Sequence, residues 1–223
     1  MEKMRKKVVI FDLDGLMIDS ERVTFECFEE VLAKTDRTIS RDFYIRLIGR
    51  TYDASLKLIE EEYGDSFNIE KTVEDVHSLL AKRFEAEGVP EKQGIRDLLE
   101  YLKGSEFKIF VATSSSRDRV DTILEQSGLN MYIDGSVCGD EVKSSKPDPE
   151  LFLNACRKAG CKPAEAYVLE DSEAGIEAAY AAGIDCIAVP DLKYPADEVA
   201  KKARWIVGSL SDALEIFEGI YDL

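Results

Sequence analysis

The sequence of 223 residues lacks a long apolar run, a paired cysteine motif and any low-complexity tract or internal repeat. Its first apolar run, residues 8–11, stops at an acidic residue and is too short for a membrane span or a signal peptide. The five cysteines are an odd number without a CxxC pair, so we expect reduced thiols rather than disulfides or a zinc site. These absences predict a soluble cytoplasmic protein.

Positive charge is also scarce. Lys and Arg total 29 against 45 Asp and Glu, which gives a formal net charge of −16 at pH 7. Such a surface repels nucleic acid and anionic membranes, so neither is predicted as a partner. It also repels a phosphorylated metabolite at long range. A site for such a metabolite therefore needs local positive charge, from a metal ion or a lysine.

Two hydrophobic periodicities divide the chain. Residues 16–91 carry apolar residues at helical spacing, such as Val23, Cys27 and Val31, with no convincing strand. Residues 1–15 and 92–223 instead alternate short apolar runs with amphipathic helices. This alternation predicts an α/β fold, a doubly wound parallel sheet formed by 1–15 and 92–223. Residues 16–91 are predicted to form an inserted helical cap domain over the carboxyl edge of that sheet.

The most informative motif is Asp12-Leu13-Asp14-Gly15, directly after the first apolar run. Acids at positions i and i+2 after a buried strand point the same way at its carboxyl end, where open α/β sheets bind ligands. An ionised carboxylate such as Asp12 is able to attack an electrophile without an activating base. Asp14 could then donate a proton. The alternative is an ordinary turn, which Asp and Gly also favour.

Hydroxyl groups and one lysine follow later strands. Thr113 and Ser114 come after a predicted strand, where hydroxyl and backbone N–H groups make a suitable oxyanion cradle. A plain helix cap is the alternative. Lys146 lies between Ser145 and Pro147 before a predicted helix, where a rigid loop would let it bridge a carboxylate and a phosphoryl group. An ordinary surface lysine is the alternative there.

A second acid pair, Glu170 and Asp171, closes another buried strand. Adjacent acids at such a position are costly unless a cation or solvent meets them. Hard carboxylate oxygens suit Mg²⁺, although a helix N-cap also explains Asp171. Parallel strands would place the two acid pairs, the hydroxyls and the lysine along one edge of the sheet. Chance alone is a poor explanation for all four groups occurring at strand ends.

At this point the chain resembles the haloacid dehalogenase superfamily of phosphotransferases. All four of its motifs occur in order: DLDG at 12–15, VATS at 111–114, SKPDPE at 145–150 and LEDSEAGI at 169–176. The helical insertion resembles the subfamily that includes β-phosphoglucomutases and many phosphatases of small metabolites. The resemblance covers essentially the whole chain.

The resemblance implies a role for each acid. Asp12 would be the nucleophile that forms an aspartyl-phosphate, and Asp14 the general acid and base. Both would also be ligands of Mg²⁺, Asp14 through its backbone carbonyl, with Glu170 and Asp171 completing the metal site. Dehalogenases of the superfamily lack an acid at the position of Asp14, so dehalogenation is disfavoured.

The resemblance also assigns the phosphate-binding groups. Thr113 and the Ser114 amide would hold the phosphoryl oxygens, and Lys146 would offset the crowded negative charge. No organic cofactor is implied. The predicted partner is a small phosphorylated metabolite, and the chain is predicted to be a monomer or a weak homodimer.

The reaction type is less closely specified than the family. β-Phosphoglucomutases carry a histidine where Thr24 aligns, a lysine where Ile48 aligns and an arginine where Tyr52 aligns. This chain does have an arginine nearby, Arg50, but it is out of register with the arginine of the mutases. These departures favour a Mg²⁺-dependent phosphatase acting on phosphate monoesters such as sugar phosphates. A phosphoglucomutase-type isomerase is the alternative. A catalytically inactive binding protein is a third reading, but it would not need to keep both Asp12 and Asp14.

Overall fold

The computed structural model describes residues 7–48, 52–64 and 67–221. It divides into two compact units. One, here called the core unit, comprises the chain up to Asp19 and from Val89 onward; the other, the helical unit, is Ser20–Gly88. The sequence predicted a core of 1–15 and 92–223 and a helical domain of 16–91.

The core unit is built on a six-stranded parallel sheet in the order β3-β2-β1-β4-β5-β6. The strands are β1 (Val8–Phe11), β2 (Lys108–Ala112), β3 (Gly135–Val137), β4 (Ala166–Glu170), β5 (Asp185–Ala188) and β6 (Trp205–Ile206). The four residues of β1 and the five of β4 are all buried. Such wholly apolar runs are typical of parallel strands with both faces covered.

Helices connect these strands, as expected for a parallel sheet. They are α5 (Ile95–Gly104), α6 (Arg117–Ser127), α7 (Glu150–Ala159), α8 (Glu173–Ala181), α9 (Asp197–Ala200) and α10 (Leu210–Tyr221). In α7 the buried residues recur at helical spacing, with Leu151, Phe152, Ala155 and Ala159 facing the sheet core. From β1 the chain adds β2 and β3 on one side and β4, β5 and β6 on the other, so β1 lies near the middle of the sheet.

The helical unit contains α1 (Ser20–Ala33), α2 (Arg41–Leu47), α3 (Tyr52–Tyr63) and α4 (Ile69–Glu87). Its long helices α1 and α4 pack on each other. Val23, Cys27 and Val31 of the predicted apolar face of α1 are buried, as are Val76 and Leu80 of α4. Ser40 and Asn68 cap α2 and α4 by accepting backbone N–H groups.

The predicted fold class is confirmed: an α/β parallel sheet accompanied by a helical insertion. The differences are small and lie at strand ends. Strand β3 has only three residues, Gly135–Val137, and β6 has only two. No helix in the described part of the chain combines the length and apolar character needed to cross a bilayer. All five cysteines are free thiols, four of them buried.

Candidate active site

Three of the predicted site residues lie at the carboxyl ends of neighbouring strands. In the sheet register Phe11 lies opposite Val111 and Leu169, so Asp12, Thr113 and Glu170 sit at the ends of β1, β2 and β4. The Asp12 amide donates to the Leu169 carbonyl at 3.1 Å, which continues the ladder to this point. Adjacent strands are about 4.8 Å apart, so side chains here meet directly.

Lys146 joins two of these strand ends. Its Nζ lies 2.5 Å from Asp12 Oδ1 and 2.5 Å from Glu170 Oε1. The lysine side chain is 6% exposed and Glu170 is fully buried. Lys146 is therefore a buried bridge between two acids rather than a surface lysine. The predicted bridge from a carboxylate to a phosphoryl group stays a prediction.

The loop before α7 holds Lys146 in this position. The Glu150 carboxylate accepts the amides of Lys143 and Ser144, and the Asp148 amide donates to the Ser145 carbonyl at 3.0 Å. The Lys146–Pro147 peptide bond is cis. The Nζ of Lys146 also lies 5.0 Å from the centre of the Phe152 ring, within range of a cation–π contact.

The Glu170 carboxylate accepts hydrogen bonds from residues of the core unit. Its Oε1 accepts from Lys146, and its Oε2 accepts the amide and hydroxyl of Ser172, both at 2.9 Å. The carboxylate also lies against the backbone of Gly175, where any Cβ would overlap it. The glycine of the fourth motif thus makes room for a buried acid.

The charges of this cluster do not balance. Two carboxylates, Asp12 and Glu170, face the single ammonium of Lys146 in a buried position. Burial raises the pKa of Asp12 to about 7, a rise that Lys146 opposes and Glu170 reinforces. The two facing acids outweigh burial at Lys146 and raise the pKa of its ammonium, which therefore stays charged. One more cation would relieve the remaining negative charge.

Asp14 has different partners from Asp12. Its Oδ2 accepts the hydroxyl of Ser115 and its Oδ1 accepts the guanidinium of Arg119, both at 2.7 Å. Ser115 follows β2, and Arg119 belongs to the first turn of α6. The side chain of Asp14 is thus fixed to the loop and helix that follow β2.

Asp171 lies beside the turn of the first motif. A Cβ on Gly15 would overlap Asp171 Oδ2, and Gly15 has φ +83°, a conformation that favours glycine. The Asp171 carboxylate therefore approaches the peptide unit that follows Asp14. The carboxylates of Asp12 and Asp171 and the backbone carbonyl of Asp14 are hard oxygens of the kind that Mg²⁺ binds, and their joint use as ligands stays a prediction.

Glu170 fits such a set less well, because its two oxygens already serve Lys146 and Ser172. Across residues 7–48, 52–64 and 67–221, no three His, Cys, Asp or Glu side chains are arranged to hold a metal ion. A metal at this edge would consequently depend on the backbone carbonyl as well as on side chains.

The predicted phosphate cradle lies at the end of β2. Thr113 is buried, and its Oγ1 accepts the amide of Ser115 at 3.2 Å, so its hydroxyl proton remains to be donated. The side chain of Ser114 is exposed. Both lie in the turn between β2 and α6, directly after the carboxyl end of β2.

Sequence reasoning missed Ser115 and Arg119 as partners of Asp14. Ser115 belongs to the hydroxyl run that was assigned to phosphate binding through its two neighbours. One feature of the sequence could have pointed to Arg119. A cation in the first turn of a helix opposes the helix dipole, so a nearby acid is expected to compensate it.

The model of the haloacid dehalogenase-like hydrolase family matches residues 9–189. The chain belongs to this family. Proteins of the family generally use a divalent metal ion.

Two phosphatases and one crystal structure show which individual proteins the chain is similar to. A phosphorylated carbohydrates phosphatase of Thermotoga maritima is 33% identical over 181 residues, covering 81% of this chain and 83% of the relative. Fructose-1-phosphate phosphatase YqaB of Escherichia coli is 32% identical over 188 residues, covering 81% and 95%. The crystal structure of a putative β-phosphoglucomutase from Thermotoga maritima superimposes with a TM-score of 0.80 at 29% identity, covering 96% and 99%.

These relatives confirm the predicted family and the enzyme class, a haloacid dehalogenase-like phosphatase. The sequence features that separate phosphatase from mutase remain predictions. Of these, Arg50 lies outside the described residues, as does the side chain of Tyr52.

Proposed function

We propose that this phosphatase hydrolyses phosphate monoesters of small metabolites, sugar phosphates among them, through an aspartyl-phosphate on Asp12. The observation that carries the proposal is the buried bridge of Lys146 to Asp12 and Glu170. A lysine that fixes a carboxylate at the ligand-binding edge of the sheet orients a nucleophile and offsets charge as a phosphoryl group arrives. The names of the relatives that act on phosphorylated carbohydrates support this substrate class.

In the first step, the Asp12 carboxylate attacks phosphorus and the ester P–O bond breaks. Asp14 gives a proton to the departing oxygen. Thr113, the Ser114 amide and Lys146 hold the phosphoryl oxygens, so that the reacting atoms stay in line. These roles rest on the positions of the residues around one edge of the sheet.

In the second step, water attacks the phosphorus of the aspartyl-phosphate and its proton passes to Asp14. Asp12 is released as the carboxylate together with inorganic phosphate. Asp14 then holds a proton again, ready for the next ester.

Asp12, Asp171 and the backbone carbonyl of Asp14 would hold Mg²⁺. When bound, this ion supplies positive charge against the phosphoryl oxygens and the unbalanced acids of the site. We assign Glu170 to the positioning of Lys146, because that contact and Ser172 occupy its oxygens. Residues 16–91 are proposed to act as the substrate-selecting cap. A cytoplasmic location and a monomeric or weakly dimeric state are also proposals.

The decisive experiment incubates the purified protein and Mg²⁺ with a panel of hexose, pentose and triose phosphates and measures released phosphate. We expect hydrolysis of at least one ester and complete loss in Asp12→Asn. Mass spectrometry of a rapidly quenched reaction should find the phosphoryl group on Asp12. Interconversion of β-glucose 1-phosphate and glucose 6-phosphate without phosphate release from any ester would overturn the phosphatase in favour of the mutase.

A further inference from the structure

The helical unit contains a cleft of about 520 Å³ between the end of α1 and the first turns of α4. Residues between 31 and 37 line one side of it, and residues between 67 and 82 line the other. A cleft of this volume can hold a small metabolite. Its described lining residues all belong to the helical unit, whereas the candidate active site belongs to the core unit. The two sites therefore share no described residue.

The cleft is positively charged in a protein of strongly negative charge. The basic side chains that line it include Arg37, Lys71 and Lys82, and Asp75 is the one acid among its described lining residues. Over the whole chain, acids outnumber Lys and Arg by 45 to 29. The cleft thus attracts anions that the rest of the surface repels.

Arg37 has no counter-charge in the part of the chain that the structure describes. Its guanidinium is half-buried and lies 5.4 Å from the centre of the Phe67 ring, within range of a cation–π contact. No described carboxylate pairs with it, and no described group accepts a hydrogen bond from it. By contrast, the guanidinium groups of Arg83, Arg96 and Arg117 each meet a carboxylate. The five N–H donors of Arg37 are therefore available to a ligand.

The two lysines of α4 differ in the same respect. Lys71 is already compensated, because its Nζ lies 2.7 Å from Asp75 and 3.4 Å from Glu74. Lys82 is exposed and has no ion pair with any residue that the structure describes. Arg37 and Lys82 are thus two cations on the lining of one cleft that await negative charge.

Apolar side chains line the same cleft. Val31 and Leu32 are buried residues of α1, and Leu79 is a half-buried residue of α4. An inorganic anion would leave this apolar lining in water, whereas the carbon part of an organic ligand would cover it.

We propose that the cleft binds a phosphorylated metabolite with at least two negative charges, through Arg37 and Lys82. The planar guanidinium matches two oxygens of one phosphate group, and the ammonium of Lys82 adds a point charge for further phosphate oxygens. Val31 and Leu79 contact the carbon part of the ligand. This site lies outside the proposed hydrolysis and does not depend on it.

NMR titration of the ¹⁵N-labelled protein tests the proposal, with ribose 1,5-bisphosphate as the probe. Chelator in the buffer removes Mg²⁺, so the result does not depend on turnover. The backbone amides of residues 35–37 and 71–82 should shift saturably. Pyrophosphate, which has no carbon part, should bind at the same amides several-fold more weakly. Shifts confined to the core unit would overturn the proposal, and equal binding of pyrophosphate would overturn its organic ligand class.

Two variants identify the recognising side chains. The double variant Arg37→Gln/Lys82→Gln should raise the dissociation constant measured at these amides at least about tenfold, because two charged contacts are lost. Lys82→Gln alone removes no described contact, so it leaves the fold intact, and it should raise the constant about threefold or more. An unchanged constant in both variants would overturn the proposal.

The matched control is Arg41→Gln/Lys57→Gln. It removes the same charges from exposed positions of α2 and α3 that do not line the cleft. Its dissociation constant should stay within about twofold of the wild type, because exposed charges at a distance are screened by salt. Equal weakening in the control and in Arg37→Gln/Lys82→Gln would show attraction by net charge alone and overturn the site.

Discussion

In the core unit, Asp12, Glu170 and Lys146 are buried together at distances of 2.5 Å, whereas the ion pairs of the helical unit lie at its surface. Arg83, for example, meets Glu26 and Glu30, and both acids are at least 39% exposed. The described residues of the helical unit include no buried charged side chain. Apart from Ser20, the buried side chains described in the helical unit are apolar or aromatic, and the half-buried rings of Phe25 and Phe28 lie within 6 Å of the buried ring of Tyr44.

The two units therefore differ in what their buried residues do. Burying charges costs free energy that a structural role rarely requires, so the buried charges of the core unit point to a chemical role. The described residues of the helical unit are stabilised by ordinary packing and by ion pairs at its surface. Variants in the two units should therefore differ sharply in their effects on activity and on stability, and four predictions follow from the largest effect to the smallest.

Replacing the bridging lysine should have the largest effect. Lys146→Met leaves Asp12 and Glu170 facing each other without a cation, so we expect kcat/KM to fall by at least about 10³. The free energy of unfolding should fall by about 3 kcal/mol, because one partner of a buried pair is removed. Steady-state kinetics and urea unfolding measure both quantities.

The matched control lies in the helical unit. Lys34 is 65% exposed and meets Glu30 at 3.7 Å, so Lys34→Met should change stability by less than about 0.5 kcal/mol. Its activity should equal that of the wild type. A similar loss in both variants would remove the contrast between the two units.

Metal removal should also act on the core unit alone. A chelator should abolish turnover and Mg²⁺ should restore it. Mg²⁺ at one hundred times its dissociation constant should stabilise the wild type by about 2.7 kcal/mol. This increment should vanish in Asp171→Asn and persist in Asp75→Asn, whose residue pairs with Lys71 in the helical unit. Thermal unfolding measures it, and full activity of the chelated enzyme would contradict the metal assignment.

The pKa of Asp12 predicts a pH effect on the metal-free protein. Its value of about 7 lies above the ordinary 3.8, so the stability this carboxyl contributes is complete below about pH 4 and is lost as the pH rises through about 7. Asp12→Asn cannot ionise. Its stability relative to the wild type should therefore increase by about 1 kcal/mol or more between pH 4 and pH 8.

Chemical denaturation of both proteins in chelator at the two pH values tests this expectation. Glu60→Gln, in the helical unit, should show no comparable pH-dependent gain over the wild type. A constant difference between Asp12→Asn and the wild type would mean that Asp12 is already ionised at low pH.

The smallest effect is expected at the surface of the helical unit. Arg83→Gln removes ion pairs with Glu26 at 3.1 Å and Glu30 at 2.8 Å, while 24% of the arginine side chain is exposed. We expect a loss of about 0.5 to 1 kcal/mol in the free energy of unfolding and no change in kcat. A fall in kcat beyond twofold would indicate that this surface takes part in turnover.

Much of the core could be predicted from local patterns. Apolar runs such as residues 8–11 and 166–169 indicated buried parallel strands, and parallel strands present their carboxyl ends at one edge. The acids, the hydroxyls and Lys146 could therefore be assigned to one site before any contact was known. Strand ends were less predictable: β6 pairs with β5 through Trp205 and Ile206 alone.

The partner of each acid could not be predicted in this way. Arg119 lies 105 residues from Asp14 in the chain, and no periodicity links them. Likewise, Glu170 and Asp171 look equivalent in sequence, but one is turned into the core toward Lys146 and Ser172 and the other toward Gly15. Successive residues at a strand end point to opposite sides, so neighbours with the same chemistry meet different surroundings.

The sequence by itself determined the sheet, the helical insertion and the set of candidate site residues, because hydrophobic period and motif order are local properties of the chain. Only the tertiary structure decided how the charges are matched: Lys146 between Asp12 and Glu170, and Arg119 on Asp14. Burial strengthens each of these contacts and depends on how every element packs, so no short stretch of sequence contains it.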